Sequence, residues 1–228
     1  MDKETEIKSR LDSLLSKNVS AFNFVQKLSN MGEIIFFGGS IRDLFFENSN
    51  QDLPRDYDIV VKLNVDRYVL ESFLSRYEYR KNRFDGYKIK VEGVEFDVWI
   101  LEKTWAFNNR LLKSNEKNLI KTVYLSVDGI ALNYTREKLY DNIFRETNDK
   151  REISVVLKEN PQKELNLLRA LVFKQKYNYK LSSKLKSEYR KVKSVNGNLS
   201  KVLYDLQLDH YKEEKLSLEQ IESELSVI

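Results

Sequence analysis

One junction constrains this chain more than any other: a short apolar run that passes through three small residues into a helix. Glu33-Ile34-Ile35-Phe36-Phe37 is β-branched and aromatic, the composition of a buried strand. Gly38-Gly39-Ser40 follows, and helical character resumes from Ile41 to Phe46. Glycines between a strand and a helix let backbone amides approach a phosphate closely, and the helix N-terminus adds a favourable dipole. Arg42 stands on that helix, where its guanidinium fork can pair with phosphate oxygens. Alone, Gly-Gly-Ser is far more often an ordinary turn, so its weight depends on what surrounds it.

Two acid-bearing strands surround it. In Arg55-Asp56-Tyr57-Asp58-Ile59-Val60, the aspartates are two apart at the mouth of an apolar strand, so both carboxylates project to one side. Like charges so placed repel, and a divalent cation is the usual reason to keep them together; hard oxygen ligands suit magnesium or manganese. A solvated strand end is the plain alternative. Glu95-Phe96-Asp97-Val98-Trp99-Ile100 is a second such strand. A charge between Phe96 and Val98 is costly unless paired or metal-bound. Glu95 shares the face of Asp97 and is the alternative acid, and a buried Lys or Arg partner is the alternative explanation.

Composition narrows the chemistry. The chain has 228 residues, no cysteine and one histidine, His210, which removes disulfides, thiolate metal sites, thiol nucleophiles and His-rich centres. What remains is carboxylates, hydroxyls, backbone amides and cations. No apolar run is long enough to span a membrane, and MDKETEIKSR is too charged for a signal peptide, so a cytoplasmic address with no membrane partner is expected. Net charge is only +4, but from Lys163 to Lys201 eleven Lys/Arg face two glutamates. Such segregation suggests a polyanion-facing surface, with Lys184, Lys186, Arg190 and Lys191 as the nucleic-acid contacts. A solvated helical face accounts for the same lysines.

Periodicity predicts helices over residues 5–17 and 20–30, a helix from Val65 to Tyr77, and strands at 57–61, 86–91 and 94–101, with Glu92-Gly93 as a tight hairpin turn. Asn48 to Pro54 reads as a polar loop. Val123 to Leu132 is apolar but fits strand and helix equally. From Pro161 the pattern is helical, with Leu165, Leu168, Leu171 and Val172 on one face and a turn at Asn196-Gly197. The expected class is α+β: a small mixed twisted sheet with flanking helices over residues 1–140, then a helical, basic region over 141–228.

The order of these pieces is more specific than any one of them. Gly38-Gly39-Ser40-Ile41-Arg42-Asp43 with Asp56-Tyr57-Asp58-Ile59 resembles the GGxxRD and DxD signature of class II CCA-adding enzymes and bacterial poly(A) polymerases, of the polymerase-β-type nucleotidyltransferase superfamily. Ser126-Val127-Asp128-Gly129-Ile130-Ala131-Leu132-Asn133 is similar to a further family segment, and Leu167-Leu168-Arg169-Ala170-Leu171-Val172-Phe173 to the family's LLRAxRF helix. The resemblance implies a catalytic head followed by a helical neck. It implies that Gly38, Gly39, Ser40 and Arg42 hold the triphosphate of an NTP, with ATP favoured, and that Arg169 contacts the nucleotide. Asp56 and Asp58 would bind two Mg2+ or Mn2+ ions. Asp97 would be the third, metal-binding carboxylate that helps deprotonate the attacking hydroxyl.

The chain also departs from that pattern. Twelve residues separate Asp43 from Asp56, more than the family usually has, and the segment before Ser126 lacks the family's paired arginines, with Lys121 the nearest cation. Where the family reads the incoming base with EDxxR, this chain has Lys163-Glu164-Leu165-Asn166, leaving Arg169 and at most Glu164. Glu219 to Leu225 faintly resembles the ERIxxEL helix, and the chain stops three residues later, as in a short form lacking body and tail. The resulting expectation is template-independent transfer of a nucleoside monophosphate to the 3′-hydroxyl of tRNA, other RNA or an oligonucleotide, with release of pyrophosphate. A stand-alone defence or toxin enzyme, with a cognate protein partner, fits the missing base-reading motif better than CCA repair. Nucleotidyl transfer to a protein hydroxyl, or a non-catalytic head binding RNA or a partner, are the alternatives.

Overall fold

A computed structural model describes residues 2–46 and 56–228. The predicted loop from Asn48 to Pro54 lies outside the described residues. The chain divides into two compact units, residues 1–122 with 128–144, and residues 123–127 with 145–228.

In the first unit, helix α1 (Lys3–Leu15) starts where the Asp2 carboxylate accepts the Thr5 N–H at 2.8 Å, and it buries Ile7, Leu11, Leu14 and Leu15 on one stripe. Helix α2 (Val19–Ser29) is capped in the same way by Asn18 and buries Ala21, Phe24, Val25 and Leu28. Then come β1 (Gly32–Phe37), α3 (Gly39–Phe45), β2 (Asp56–Leu63), α4 (Arg67–Leu74), β3 (Glu78–Lys81), β4 (Tyr87–Val91) and β5 (Val94–Ile100). The short helices α5 (Trp105–Asn108) and α6 (Glu116–Leu119) precede β6 (Ala131–Asn133) and β7 (Lys138–Tyr140). These strands form one seven-stranded sheet, ordered β3-β4-β5-β2-β1-β6-β7. Only β2 and β5 pair in parallel, so the sheet is mixed, as expected for the α+β class. Phe24, Phe36, Tyr57 and Phe96 centre the core on one face of it.

The strands with apolar runs form where periodicity puts them. Glu92 and Gly93 both take positive φ, 44° and 87°, the handedness that a two-residue hairpin needs. Two expectations change. The helix expected to run to Tyr77 ends at Leu74, and the chain enters β3, whose four residues are all exposed. Val123 to Leu132 is neither one strand nor one helix: a 3-10 turn at Ser126–Asp128 precedes β6.

The second unit is mainly helical, with α8 (Lys163–Tyr177), α9 (Ser183–Val195), α10 (Leu199–Tyr211) and α11 (Leu218–Ser226). Helix α7 (Asn142–Lys150) leads into it, and β8 (Glu152–Ile153) pairs in parallel with β9 (Lys180–Leu181). Leu168 and Leu171 are buried as expected, but Leu167, Ala170 and Phe173 are buried too, so α8 packs a wider face than one stripe. The Tyr189 hydroxyl, fully enclosed, donates to the Leu167 carbonyl at 2.5 Å.

Candidate active site

Strand pairing assembles the acids. In the parallel β2–β5 ladder Asp56 lies opposite Glu95 and Asp58 opposite Asp97. Side chains alternate along a strand, so these four carboxylates share one face. Tyr57 and Phe96 occupy the other, with their rings stacked 5.3 Å apart in the core. Strand β4 extends the face, placing Lys88 opposite Asp97 and Lys90 opposite Glu95, and β3 adds Arg80 and Glu78 beside them. Across the sheet one row therefore reads Asp58, Asp97, Lys88, Arg80.

Within this row Asp97 is the enclosed member. It is 8% exposed, whereas Glu95 is exposed and Asp56 and Asp58 are half-buried. Its Oδ2 accepts a hydrogen bond from Lys88 Nζ at 2.8 Å, and its Oδ1, also buried, has no hydrogen-bond partner among the described residues. Burial pushes the Asp97 carboxyl above the usual range, and the Lys88 ammonium pulls the other way. An all-oxygen, all-carboxylate set with one orphaned buried oxygen fits a hard divalent cation in kind. Among the described residues, however, no three Asp, Glu or His side chains come together closely enough to hold a metal ion.

The glycine turn lies against this face. Gly38 has φ 65° and ψ −132°, a conformation that essentially only glycine adopts, and a Cβ there would sit 3.7 Å from Asp58 Oδ2. Its own N–H donates to the Ile130 carbonyl, which leaves Gly39 and Ser40 with the first N–H groups of α3, those without intrahelical acceptors. Ser40 turns its hydroxyl to the Phe37 carbonyl at 3.1 Å. Arg42 is buried: Nη1 donates to Asp128 Oδ1 at 2.5 Å and Nε to Asp43 Oδ1 at 3.0 Å. The arginine thus ties α3 to the 3-10 turn.

Asp128 and Lys88 are the residues that sequence reasoning gave no role. A partner 86 positions away from Arg42 leaves no local signal. Lys88 did leave one: counting outward from the Glu92-Gly93 turn, 90 meets 95 and 88 meets 97.

The remaining candidates lie in the second unit. Arg169 Nη1 donates to Asn166 Oδ1 at 3.5 Å, and its guanidinium lies over the Phe173 ring. Glu164 accepts from Asn196 Nδ2 at 3.4 Å, and Asn166 is buried with its amide on the Pro161 carbonyl. On α9 the four cations do not form one stripe. At about 100° per residue, Lys184 and Lys191 flank the buried Leu185, Glu188 and Tyr189 on one side, with Lys186 and Arg190 on the other. Lys184 donates to the Val155 carbonyl, Lys191 to Glu188, and Arg190 to the Ile228 carbonyl beyond α11.

No family model matches the chain, and no curated protein does. Solved structures do. A CCA-adding enzyme complexed with ATP superimposes at TM-score 0.60 with 16% identity, over 95% of this chain and 54% of that one. The same kind of enzyme with CTP gives 0.59 and 18%, over 93% and 52%. The Thermotoga maritima CCA-adding enzyme complexed with tRNA gives 0.55 and 18%, over 79% and 45%. The chain therefore spans about half the length of each. No helix among the described residues is long and apolar enough to cross a membrane. A glycine turn set against paired strand-borne acids, on a sheet that superimposes on these enzymes along most of the chain, gives this protein the fold of the CCA-adding enzymes and tRNA nucleotidyltransferases that its sequence resembles.

Proposed function

We propose that the chain is a metal-dependent, template-independent nucleotidyltransferase that moves a nucleoside monophosphate from an NTP to a 3′-hydroxyl of tRNA, other RNA or an oligonucleotide. The observation that carries this reading is the register of β2 and β5, which sets Asp56, Asp58 and Asp97 on one face beside the Gly38 turn. Asp56 and Asp58, with Asp97, are the residues to hold divalent cations, whose chemistry when bound is to activate the hydroxyl and neutralise the leaving pyrophosphate. The amides of Gly39 and Ser40 face the triphosphate from the start of α3, with Gly38 shaping the turn. Arg42 serves by fixing that turn through Asp128, so its contribution to phosphate binding is mainly positional. Asp97 is positioned to help deprotonate the attacking hydroxyl. Arg169 is the nucleotide contact in the second unit, and the α9 cations are the acceptor contacts.

The neck is what supports a defence or toxin role over CCA repair. Asn166 and Glu164 stand where the family carries its base-reading residues, and both are occupied within their own unit. A site without buried base partners discriminates poorly between bases. One observation favours a second reading, a head that binds nucleotide or RNA without transferring: Lys88 already occupies one oxygen of Asp97.

The deciding experiment incubates the protein with each labelled NTP and magnesium, with and without total RNA, and resolves the products. Labelled RNA supports the proposal, and sequencing those ends on a tRNA lacking its 3′ terminus separates uncounted addition from clean CCA. Labelled protein means a protein hydroxyl is the acceptor, and no product at all supports the binding head.

A further inference from the structure

Lys88 is the cation bonded to Asp97, and the proposed chemistry does not use it. Its ammonium lies 2.8 Å from Asp97 Oδ2, and its side chain is 36% exposed against 12% for that of Asp97. Asp97 is thus fixed in the strand while its partner sits on a flexible stem at the surface. The partner also has somewhere to go. A shallow depression of about 310 Å³ opens on this side, and two further carboxylates, Glu78 and Glu95, line it together with Lys88 and Asp97.

Resting on the reading of Asp56, Asp58 and Asp97 as cation ligands, we infer that Lys88 is a built-in counter-ion that stands in for a divalent cation at Asp97 and gives way when one binds. The electrostatics require some such group. Four carboxylates share this face of two adjacent strands, and without a cation their repulsion, added to the burial of Asp97, opposes folding. Lys90 lies opposite Glu95 and Arg80 beside Lys88, but it is the Lys88 ammonium that meets the most enclosed acid. The same ammonium opposes an arriving cation, because it has to leave a carboxylate oxygen or remain as a like charge beside the metal. Even at the dielectric of water, a unit charge about 6 Å from a double charge is worth about tenfold in affinity. Lys88 therefore stabilises the cation-free protein and raises the cation concentration needed to load it, and by linkage the two effects are one coupling.

The test is Mn2+ binding, followed by the paramagnetic resonance of the free ion, on the full chain and on Lys88→Met, Lys88→Gln and Lys88→Arg, with melting temperatures measured with and without Mn2+. The expected result is binding about tenfold tighter in Lys88→Met and Lys88→Gln, and near the parent level in Lys88→Arg. The neutral variants should melt lower than the parent only when metal is absent. Equal or weaker binding in the neutral variants overturns the inference while leaving the cation ligands in place, and so does an arginine variant as tight as the methionine one. Failure of the parent chain and every variant to bind Mn2+ overturns the cation reading itself, and the inference with it. Should Lys88→Met not fold, Lys88→Gln, which can still donate a hydrogen bond to Asp97, carries the comparison.

Discussion

Asp58 and Asp97, thirty-nine positions apart in the chain, are directly opposed on one rung of the parallel β2–β5 ladder, and a Cβ placed on Gly38 would come 3.7 Å from Asp58 Oδ2. The rung is what turns two unremarkable strand acids into a pair.

Neutralising the acids should separate chemistry from folding. Asp56→Asn and Asp58→Asn are each expected to reduce nucleotide transfer by at least about a hundredfold, with the fold retained. Asp97→Asn should be similarly severe. Transfer assays with labelled NTP beside thermal melts check this, and near-normal activity in either DxD variant would remove the metal assignment. A damaging Glu95→Gln with a mild Asp97→Asn would shift the third acid by two residues.

Gly38→Ala tests the turn. At φ 65° and ψ −132° a Cβ is strained whatever room surrounds it, so the variant should lose about 1–3 kcal/mol in urea unfolding. Its transfer activity should fall further than that stability loss alone dictates, because the turn shapes the triphosphate seat. A loss within measurement error would show that the turn relaxes freely.

The α9 cations give a salt experiment. Replacing Lys184, Lys186, Arg190 and Lys191 with Glu should weaken binding of an RNA acceptor, make that binding less salt-dependent, and leave NTP binding nearly unchanged. The two flanks can be told apart with K184E/K191E and K186E/R190E. Both pairs should also lower the melting temperature, the first pair more, because Lys184 holds the Val155 carbonyl and Lys191 the buried Glu188, whereas the Arg190 bond to Ile228 is exposed. Equal loss for RNA and NTP, or none, would make α9 a solvated face.

Acid stability should depend on a polar network below the sheet edge. Burial raises the Glu116 carboxyl, but hydrogen bonds from Lys62 at 3.0 Å, Asn133 at 3.0 Å and Tyr140 at 3.0 Å more than reverse this and hold it well below the ordinary range. A carboxyl held low in the folded state stabilises above its unfolded value, near 4.5, and loses that contribution as pH falls below it. Glu116→Gln should therefore be less stable than the parent at pH 7, on the order of 2 kcal/mol, with the gap narrowing below pH 4.5. A gap independent of pH would mean that packing, not charge, carries the residue.

Much of this architecture was legible beforehand, for reasons that differ by element. β1, β2 and β5 announce themselves through short β-branched and aromatic runs, against which the acids on one face of β2 and β5 stand out. β3 does not: Glu78-Tyr79-Arg80-Lys81 is wholly exposed and becomes a strand only because β4 lies beside it. β6 and β7 are three residues each, too short for any period to show. The role of Arg42 was legible only in part, since its distant partner Asp128 decides whether the guanidinium faces a ligand or a neighbouring turn. The division of the α9 cations into two flanks, by contrast, lies in the spacing of the sequence itself.

The β2–β5 rung has one more consequence. Its opposite face is Tyr57 against Phe96, in the middle of the core, so sliding either strand by one residue would bury an aspartate and expose an aromatic ring. A one-residue slip therefore cannot misalign the acids while leaving the core intact. On warming, catalytic competence and the core should be lost in the same transition, without a folded but inactive plateau between them.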